Sequence, residues 1–215
     1  MRTNTTTPGS RRKSRRIRPG KPSIYPIILA AGPAPRLPFP KPLAPFAGRT
    51  ALAIAVDNCR DLAPAIVVLG CQAARVRSAV PRGAGVVVNR RWRSGQMSSL
   101  RAGLRRVPRE AAFLLYPVDL PLLTPAIIRR LVRAFHQRGE QQAIVAPFFR
   151  GRTGHPVVLA PSLRRELARA RTAKEVIERN ERRVMTVGVR TPAIWQDFNT
   201  LTAYRKSLRR FRRRR

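Results

Sequence analysis

Asp119 is one of only four aspartates in a chain of 215 residues, and it directly follows the apolar run Phe113–Val118. A carboxylate at the end of a core strand costs free energy unless a cation or a metal ion compensates its charge. Because the chain has 45 lysines and arginines, an ion pair with an arginine is one interpretation. A magnesium ligand is the other, since hard cations prefer carboxylate oxygens and often take only one or two from a protein.

Two cations follow the first apolar run of the chain in a loop of unusual stiffness. The run ends at Ala31, and Arg36 and Lys41 then lie among the prolines at positions 33, 35, 38, 40, 42 and 45. For Arg36, an ordinary surface position is the simpler interpretation in such an arginine-rich chain. Lysine is scarce, with five in the chain, and only Lys41 lies in a loop directly after a predicted core strand. Its placement makes Lys41 the stronger candidate.

The segment Asn89–Leu104 also has the features of a ligand site. Gly95 interrupts the chain, and Ser98 and Ser99 then begin a predicted helix. Free backbone N–H groups and hydroxyls at a helix start suit an anionic ligand. An ordinary N-capped helix is the alternative interpretation.

His155, between Gly154 and Pro156, lies at the entrance of a predicted strand. A lone histidine is more often structural than catalytic. It has no cysteine or second histidine at ligand spacing, which argues against a zinc site.

Strand and helix patterns alternate around these residues. Continuous apolar runs, typical of strands covered on both faces, occur at Ile24–Ala31, Ala65–Leu69, Gly85–Val88, Ala112–Val118, Ala143–Ala146, Pro156–Leu159 and Val184–Val189. Helical patterns occur at Thr50–Leu62, Gln72–Val80, Ser98–Val107, Thr124–Arg138, from a cap at Ser162, and at Ala173–Glu181. This order predicts a three-layer α/β/α, Rossmann-like fold on a mostly parallel sheet. In such sheets ligands bind at the carboxyl ends of the strands, where Lys41, Asn89 and Asp119 follow.

The net charge of +35 is extreme, and residues 1–21 and 205–215 carry eight cations each without an acid. Such tails are typically disordered and attract polyanions, although a bias towards arginine gives the same numbers without any binding. We expect a tail over 1–21, one domain over 22–204 and a tail over 205–215. The apolar runs are too short for a membrane span, and the N-terminus lacks the apolar core of a secretory signal. Cys59 and Cys71 have no motif spacing and indicate a reduced, cytoplasmic compartment.

Four motifs in order resemble the MobA-like nucleotidyltransferases, over about Ile24 to Tyr204. The opening strand and loop match at Leu29, Ala30, Ala31, Gly32, Arg36, Pro40, Lys41, Leu43, Pro45 and Gly48. The second motif, that of the molybdenum cofactor cytidylyltransferase branch, matches at Asn89, Trp92, Gly95, Ser98, Ser99, Leu100 and Gly103. The third matches at Asp119, Pro121, Leu122, Thr124 and Pro125, and the fourth at Gly151, Arg152, Gly154, His155 and Pro156. The chain departs from the family at Ala34 and Pro38, which replace a serine and a glycine.

The resemblance implies a magnesium-dependent enzyme that moves a nucleotidyl group from CTP or GTP to a phosphorylated acceptor such as molybdopterin. It implies that Arg36 and Lys41 neutralise the triphosphate and that, with Asp119, they are catalytic. The expected nucleotide contacts are Leu29, Ala30, Ala31, Gly32, Arg36, Lys41, Asn89, Gly95 and Ser98. Ser99 and His155 are expected to contact the acceptor, and Asp119 and Asn199 to hold Mg²⁺. The competing function class is a degenerate family member whose basic surface and tails bind nucleic acid or another polyanion.

Overall fold

The computed structural model describes residues 23–179 and 181–214. The basic segment 1–21, for which the sequence predicts a disordered tail, lies outside the described residues. The described residues form ten strands: β1 Ile24–Ala30, β2 Pro45–Phe46, β3 Arg49–Thr50, β4 Ile66–Leu69, β5 Gly85–Val88, β6 Ala112–Pro117, β7 Ile144–Phe149, β8 Arg152–Thr153, β9 Val157–Leu159 and β10 Val184–Gly188. Within the same part of the chain there are seven α-helices: α1 Ala51–Asn58, α2 Ala73–Arg77, α3 Gln96–Leu104, α4 Pro125–Gln137, α5 Arg164–Arg169, α6 Ala173–Glu178 and α7 Leu201–Arg212.

Eight of the strands form one mixed sheet in the order β10-β7-β9-β6-β1-β4-β5, with β8 added beside β7. All neighbours pair in parallel except around β9 and β8, which are antiparallel to their partners. The predicted mostly parallel sheet is therefore confirmed. β1 lies in its centre, where Ile27 and Ile28 are fully buried, as the unbroken apolar run predicts.

Helices cover both faces of the sheet. On one face, Gly103 of α3 lies so close to β1 that an added Cβ would come within 2.6 Å of the Ile27 side chain. On the other, the amide of Asn58 in α1 donates to the Tyr116 hydroxyl of β6 at 3.0 Å. Tyr116 pairs in register with Ile28, and successive residues of a strand point to opposite faces. The fold is thus the predicted α/β architecture with helices on either side.

The C-terminal segment differs from its prediction. Instead of a disordered tail over 205–215, helix α7 runs from Leu201 to Arg212, with the Thr200 hydroxyl accepting from the Ala203 N–H at 3.2 Å. Its apolar side packs in a second, smaller core that also contains Phe46 and Phe198. The arginine-rich composition does not indicate this apolar helix face, because the few residues that face the core are separated in sequence by exposed cations.

Smaller differences concern element ends. The predicted cap at Ser162 is wrong, since Pro161–Leu163 form a turn of 3-10 helix and α5 follows directly. No helix of the described residues is both long and apolar enough to span a membrane.

Candidate active site

The carboxyl ends of the central strands lie level with one another. The register pairs Ala30 with Leu69 and Leu69 with Val88, and it pairs Leu29 with Pro117. The loops after β1, β5 and β6 therefore leave the sheet at one edge, side by side. Lys41, Asn89 and Asp119, which are far apart in sequence, are brought to that edge by this register.

Lys41 joins two of the predicted site residues. Its ammonium donates to Asp119 Oδ2 at 2.8 Å and to the side-chain oxygen of Asn199. The side chains of Lys41 and Asp119 are only 19% and 18% exposed, so the pair is partly shielded from solvent. The ion pair considered for Asp119 is present, with Lys41 as its cation instead of an arginine. Asp119 and Asn199 also lie close together, as a shared metal site requires.

Asp197 is a second carboxylate beside this group. Burial and the negative charge of Asp119 raise the pKa of Asp197 above its ordinary value, against the lowering effects of Lys41, Asn199 and Arg36. Arg36 itself is exposed, and its charge acts on this carboxyl from the proline-rich loop. The edge of the sheet thus holds two carboxylates, an amide and two cations in one electrostatic network.

The C-terminal helix fixes both the proline-rich loop and Asn199. The ring of Phe39 packs edge-on to Tyr204 with centroids 5.0 Å apart, and the Tyr204 hydroxyl donates to the carbonyl of Pro45 at 2.6 Å. Asn199 lies between fully buried Phe198 and the start of α7. The segment before and after Lys41 is therefore held by aromatic packing, which sequence reasoning missed because it assigned most of this helix to a tail.

Asn89 organises the loop after β5. Its amide donates to the hydroxyls of Ser98 at 2.8 Å and Ser99 at 3.0 Å, and its side-chain oxygen accepts from the Arg91 N–H at 3.0 Å. Gly95 has φ +91° and ψ 177°, a combination that essentially only glycine adopts. Asn89 and Ser98 thus shape the turn that begins α3, and the sequence prediction of nucleotide contacts for them stays a prediction.

A first cleft of about 320 Å³ opens between these loops. Of the predicted nucleotide contacts, it is lined by Leu29, Ala30, Ala31, Gly32, Lys41 and Gly95, and Asp119 and Ser99 border it as well. Arg36, Asn89 and Ser98 are not among its lining residues. Trp92 and Gln96 also line this cleft, although neither was among the predicted site residues. For Trp92, its match to the second motif is the signal that could have identified it.

A second cleft of about 610 Å³ adjoins the first. The two share Asp119, Gln96 and Pro117, and the second also contains His155, Trp195 and Asp197. The predicted acceptor contacts are therefore divided: His155 lies in this cleft, whereas Ser99 lines the first. Asp119 stands at the junction, where a group bound in one cleft can meet a group bound in the other.

His155 is held in place by its backbone. Its N–H donates to the Ile194 carbonyl at 2.7 Å, and a Cβ on neighbouring Gly154 would come within 2.4 Å of that same carbonyl oxygen, which explains the glycine. Burial lowers the pKa of His155, while the Asp119 charge and the Leu115 carbonyl act in the opposite direction. The imidazole Nδ1 is buried and has no hydrogen-bond partner among the described residues.

The donor set around Asp119 fits a hard divalent cation. The described residues contain no group of three or more His, Cys, Asp and Glu side chains that could hold a metal, so a cysteine- or histidine-based site is not formed there. Carboxylate oxygens of Asp119 and Asp197 and the amide oxygen of Asn199 are nonetheless brought together. Mg²⁺ typically takes one or two carboxylates and completes its shell with water and substrate phosphate.

Comparison with known proteins shows the family to which the chain belongs. Residues 26–190 match the model of the MobA-like NTP transferase domain. The bifunctional protein GlmU of Burkholderia thailandensis is 37% identical over 113 residues, which are 50% of this chain and 25% of that protein. The chain thus covers about a quarter of the length of the curated relatives it matches.

Solved structures resemble this protein over most of the chain. Rv0371c from Mycobacterium tuberculosis superimposes with a TM-score of 0.75 at 30% identity, covering 87% of this chain and 98% of that one. A further structure of Rv0371c, in complex with manganese, has a TM-score of 0.74 at 28% identity, over 87% and 98% of the two chains. Molybdopterin-guanine dinucleotide biosynthesis protein A from Archaeoglobus fulgidus shares the fold, with a TM-score of 0.68 at 17% identity, over 88% of this chain and 100% of that one.

The fold is that of a nucleotidyltransferase-type α/β domain. The chain belongs to the family of MobA-like NTP transferase domains, which confirms the resemblance drawn from its four motifs.

Proposed function

We propose that this protein transfers a nucleotidyl group from a nucleoside triphosphate to a phosphorylated small molecule. The observation that carries the proposal is the meeting of two clefts at Asp119, with Lys41 beside it. The nucleotide occupies the first cleft and the acceptor the second. An acceptor phosphate oxygen forms a bond to the α-phosphorus, and the bond from that phosphorus to the pyrophosphate oxygen breaks, with pyrophosphate leaving.

Positioning and charge neutralisation carry such a reaction. The backbone of Ala30–Gly32 lines the first cleft and lies against the base, and Lys41 binds the triphosphate. Arg36 reaches the triphosphate from the exposed loop once a nucleotide is bound. Trp92 and Gln96 line the same cleft, while Asn89 holds the turn on which Gly95 lies.

Asp119 and Asn199 would hold Mg²⁺, with Asp197 able to supply a further oxygen. A bound divalent ion contributes neutralisation of the charge that develops on the phosphate oxygens. The manganese complex of Rv0371c supports a divalent ion in a related protein, and magnesium is our assignment for this chain.

CTP or GTP is the proposed donor and a molybdopterin-type compound the first candidate acceptor. The second motif supports the cytidylyltransferase branch, and the fold shared with the Archaeoglobus protein is compatible with the guanylyl one. We assign His155 of the second cleft to the acceptor, and Ser99, which lines the first cleft, is the other residue assigned to it. We expect this chemistry to take place in the cytoplasm.

Pyrophosphate release tests the proposal. The protein is incubated with CTP or GTP, Mg²⁺ and molybdopterin, and each component is left out in turn. We expect release that requires both the triphosphate and the phosphorylated acceptor. Absence of release with every pairing of nucleotide and phosphorylated acceptor, from protein that remains folded, would contradict it.

A basic surface gives a second candidate function. Five cations of α7 are exposed, namely Arg205, Lys206, Arg209, Arg210 and Arg212, and Arg213 and Arg214 directly after the helix are exposed as well. Residues 198–214 contain no acid. A cationic helix face of this kind binds nucleic acid through phosphate contacts, with steep dependence on salt. Such binding is compatible with transferase activity and would add a partner to it.

A further inference from the structure

The ammonium of Lys41 contacts the same two side chains, Asp119 and Asn199, to which a metal ion is assigned above. Its ammonium donates to one carboxylate oxygen of Asp119 at 2.8 Å and to the side-chain oxygen of Asn199. A divalent cation seeks these same oxygens. Ammonium and metal ion therefore compete for them, and the two cannot both be bound to this oxygen pair without repelling each other.

The backbone around Lys41 is held by local contacts, whereas its side chain is partly exposed. Lys41 begins a short 3-10 helix, in which the Ala44 N–H donates to the Lys41 carbonyl at 3.1 Å. Pro40 and Pro42 on either side are buried. Rotation of the lysine side chain is enough to withdraw the ammonium, because this side chain is long enough to reach different partners from one backbone position.

The first cleft is the space into which the Lys41 side chain can turn. Lys41 lines this cleft together with Asp119, and an ammonium has three donors that phosphate oxygens satisfy well. Withdrawal without a replacement cation would leave the largely buried carboxylate of Asp119 without its partner, in a cleft that Asp197 also lines. Charge balance then requires a new cation at the oxygens that Lys41 vacates.

We propose that Lys41 is an exchange gate between metal and nucleotide. In the ligand-free protein it blocks the Asp119–Asn199 oxygens, and it releases them to Mg²⁺ when a triphosphate in the first cleft takes over its ammonium. This inference rests on the proposed function for the identity of the triphosphate. Metal binding and nucleotide binding are then positively coupled, and the coupling depends on this one side chain.

Manganese binding without nucleotide tests the gate directly. Free Mn²⁺ is followed by electron paramagnetic resonance during titration of the wild type, Lys41→Met and the control Lys206→Met. Loss of the largely buried ion pair that competes with the metal ion should tighten Mn²⁺ binding about tenfold in Lys41→Met. Lys206→Met removes an equal charge from the exposed face of α7, and it should change the affinity about twofold at most.

Two results would overturn the gate. The first is unchanged or weaker Mn²⁺ binding by Lys41→Met that retains the wild-type circular dichroism spectrum. The second is an equal gain in Lys41→Met and Lys206→Met, which would mark a general charge effect. A double variant, Lys41→Met with Asp119→Asn, should lose the gain, and a gain that survives there also contradicts the assignment of the oxygens.

A measurement on the unaltered protein covers the case in which Lys41→Met does not fold. Amine acetylation followed by mass spectrometry reports the accessibility of each lysine, and Lys206 on the exposed face of α7 is the internal control. Saturating Mg²⁺ alone should raise acetylation of Lys41 and leave Lys206 unchanged. The same comparison is made with Mn²⁺ at a concentration at which the titration shows it to be bound. If acetylation of Lys41 does not increase there, the proposal is contradicted.

The outcomes separate the gate from the proposed function. If Lys41→Met gains Mn²⁺ affinity but the wild type shows no pyrophosphate release with any acceptor, the gate stands and the transferase proposal fails. If the wild type shows acceptor-dependent release but Lys41→Met gains no affinity, the transferase proposal stands and the gate fails.

Discussion

The hydroxyl of Tyr204 in α7 donates to the carbonyl of Pro45 at 2.6 Å and thereby ties the C-terminal helix to the segment that carries Lys41. The same tyrosine ring packs against Phe39, with centroids 5.0 Å apart, and against Phe46 at 5.3 Å. The proposed phosphate-binding loop therefore depends on an element that begins directly after Asn199. Helix and loop together define where Lys41 and Asn199 meet.

Tyr204→Phe should loosen this connection and keep the packing. Loss of one partly buried hydrogen bond is expected to cost about 1 kcal/mol of unfolding free energy. Since the loop then moves more freely, KM for the nucleotide should rise with little change in kcat. Urea unfolding and steady-state kinetics measure the two effects, and a variant identical to wild type in both would show that the bond is dispensable.

Removal of Phe211 tests the role of the C-terminal helix in the fold. Its ring lies 5.6 Å from that of Phe46, centroid to centroid. Phe211→Ala should lower the free energy of unfolding by about 2 kcal/mol, because the aromatic cluster loses the contacts of one ring and keeps a cavity in its place. The neighbouring exposed Arg212→Ala is the matched control and should leave the melting temperature nearly unchanged. Equal effects of the two substitutions would favour the disordered tail that the sequence predicts.

Deletion of residues 1–21 and deletion of residues 206–215 should have different consequences. The first removes only residues that precede the domain, and we expect fold and nucleotide binding to persist. The second removes the end of α7 and with it buried Ser207, so we expect lowered stability and weakened nucleotide binding. Melting temperature and calorimetry of the two truncated proteins make the comparison, and equal tolerance of both deletions would contradict the role given to α7.

Cys59 provides a test of burial with a defined sign. Burial raises the pKa of the Cys59 thiol from 9.0 to about 12. Because the folded pKa exceeds the unfolded one, this group stabilises the fold below pH 9 and loses that contribution as pH rises from 9 towards 12. The stability difference between wild type and Cys59→Ala should therefore decrease over that window. A pH-independent stability difference would contradict the burial of the Cys59 thiol. Cys71, which is partly exposed, should react with thiol reagents before Cys59 does.

The sequence predicts the sheet well and part of the site. Ile27–Ala31 are apolar without interruption, which identifies a central strand, and Asp119 and Lys41 follow such strands, so the edge of the sheet brings them together. The prediction for α7 is wrong because the arginine run was weighed by composition. Tyr204, Ser207, Leu208 and Phe211 have the i, i+3, i+4, i+7 spacing of a helix face, and this spacing is the signal that could have found it.

Other features depend on contacts that no sequence pattern encodes. The contact of Lys41 with Asn199 joins residues 158 positions apart, and it exists only because α7 packs on the proline-rich loop. The nucleotide contact of Asn89 stays a prediction, and the structure adds that its amide donates to the hydroxyls of Ser98 and Ser99. A motif match identifies such a residue, whereas its hydrogen bonds within the fold are seen only in the structure.

Lys41→Ala should abolish nucleotidyl transfer and leave the fold intact. The side chain is partly exposed and adjoins the first cleft, so its loss removes charge from the triphosphate site without opening the core. Turnover with CTP and with GTP, together with the melting temperature, gives the comparison. Unchanged turnover in the folded variant would remove Lys41 from the proposed machinery.

Calorimetric titration of CTP and GTP in the presence and absence of Mg²⁺, on wild type and Asp119→Asn, tests the central claim most directly. We predict that the wild type binds one of the nucleotides more tightly with Mg²⁺ than without it. Asp119→Asn should retain the fold and lose this metal dependence. Metal-dependent binding that persists in Asp119→Asn, or wild-type protein that binds neither nucleotide, would contradict the assignment of this edge of the sheet as a nucleotidyltransferase site.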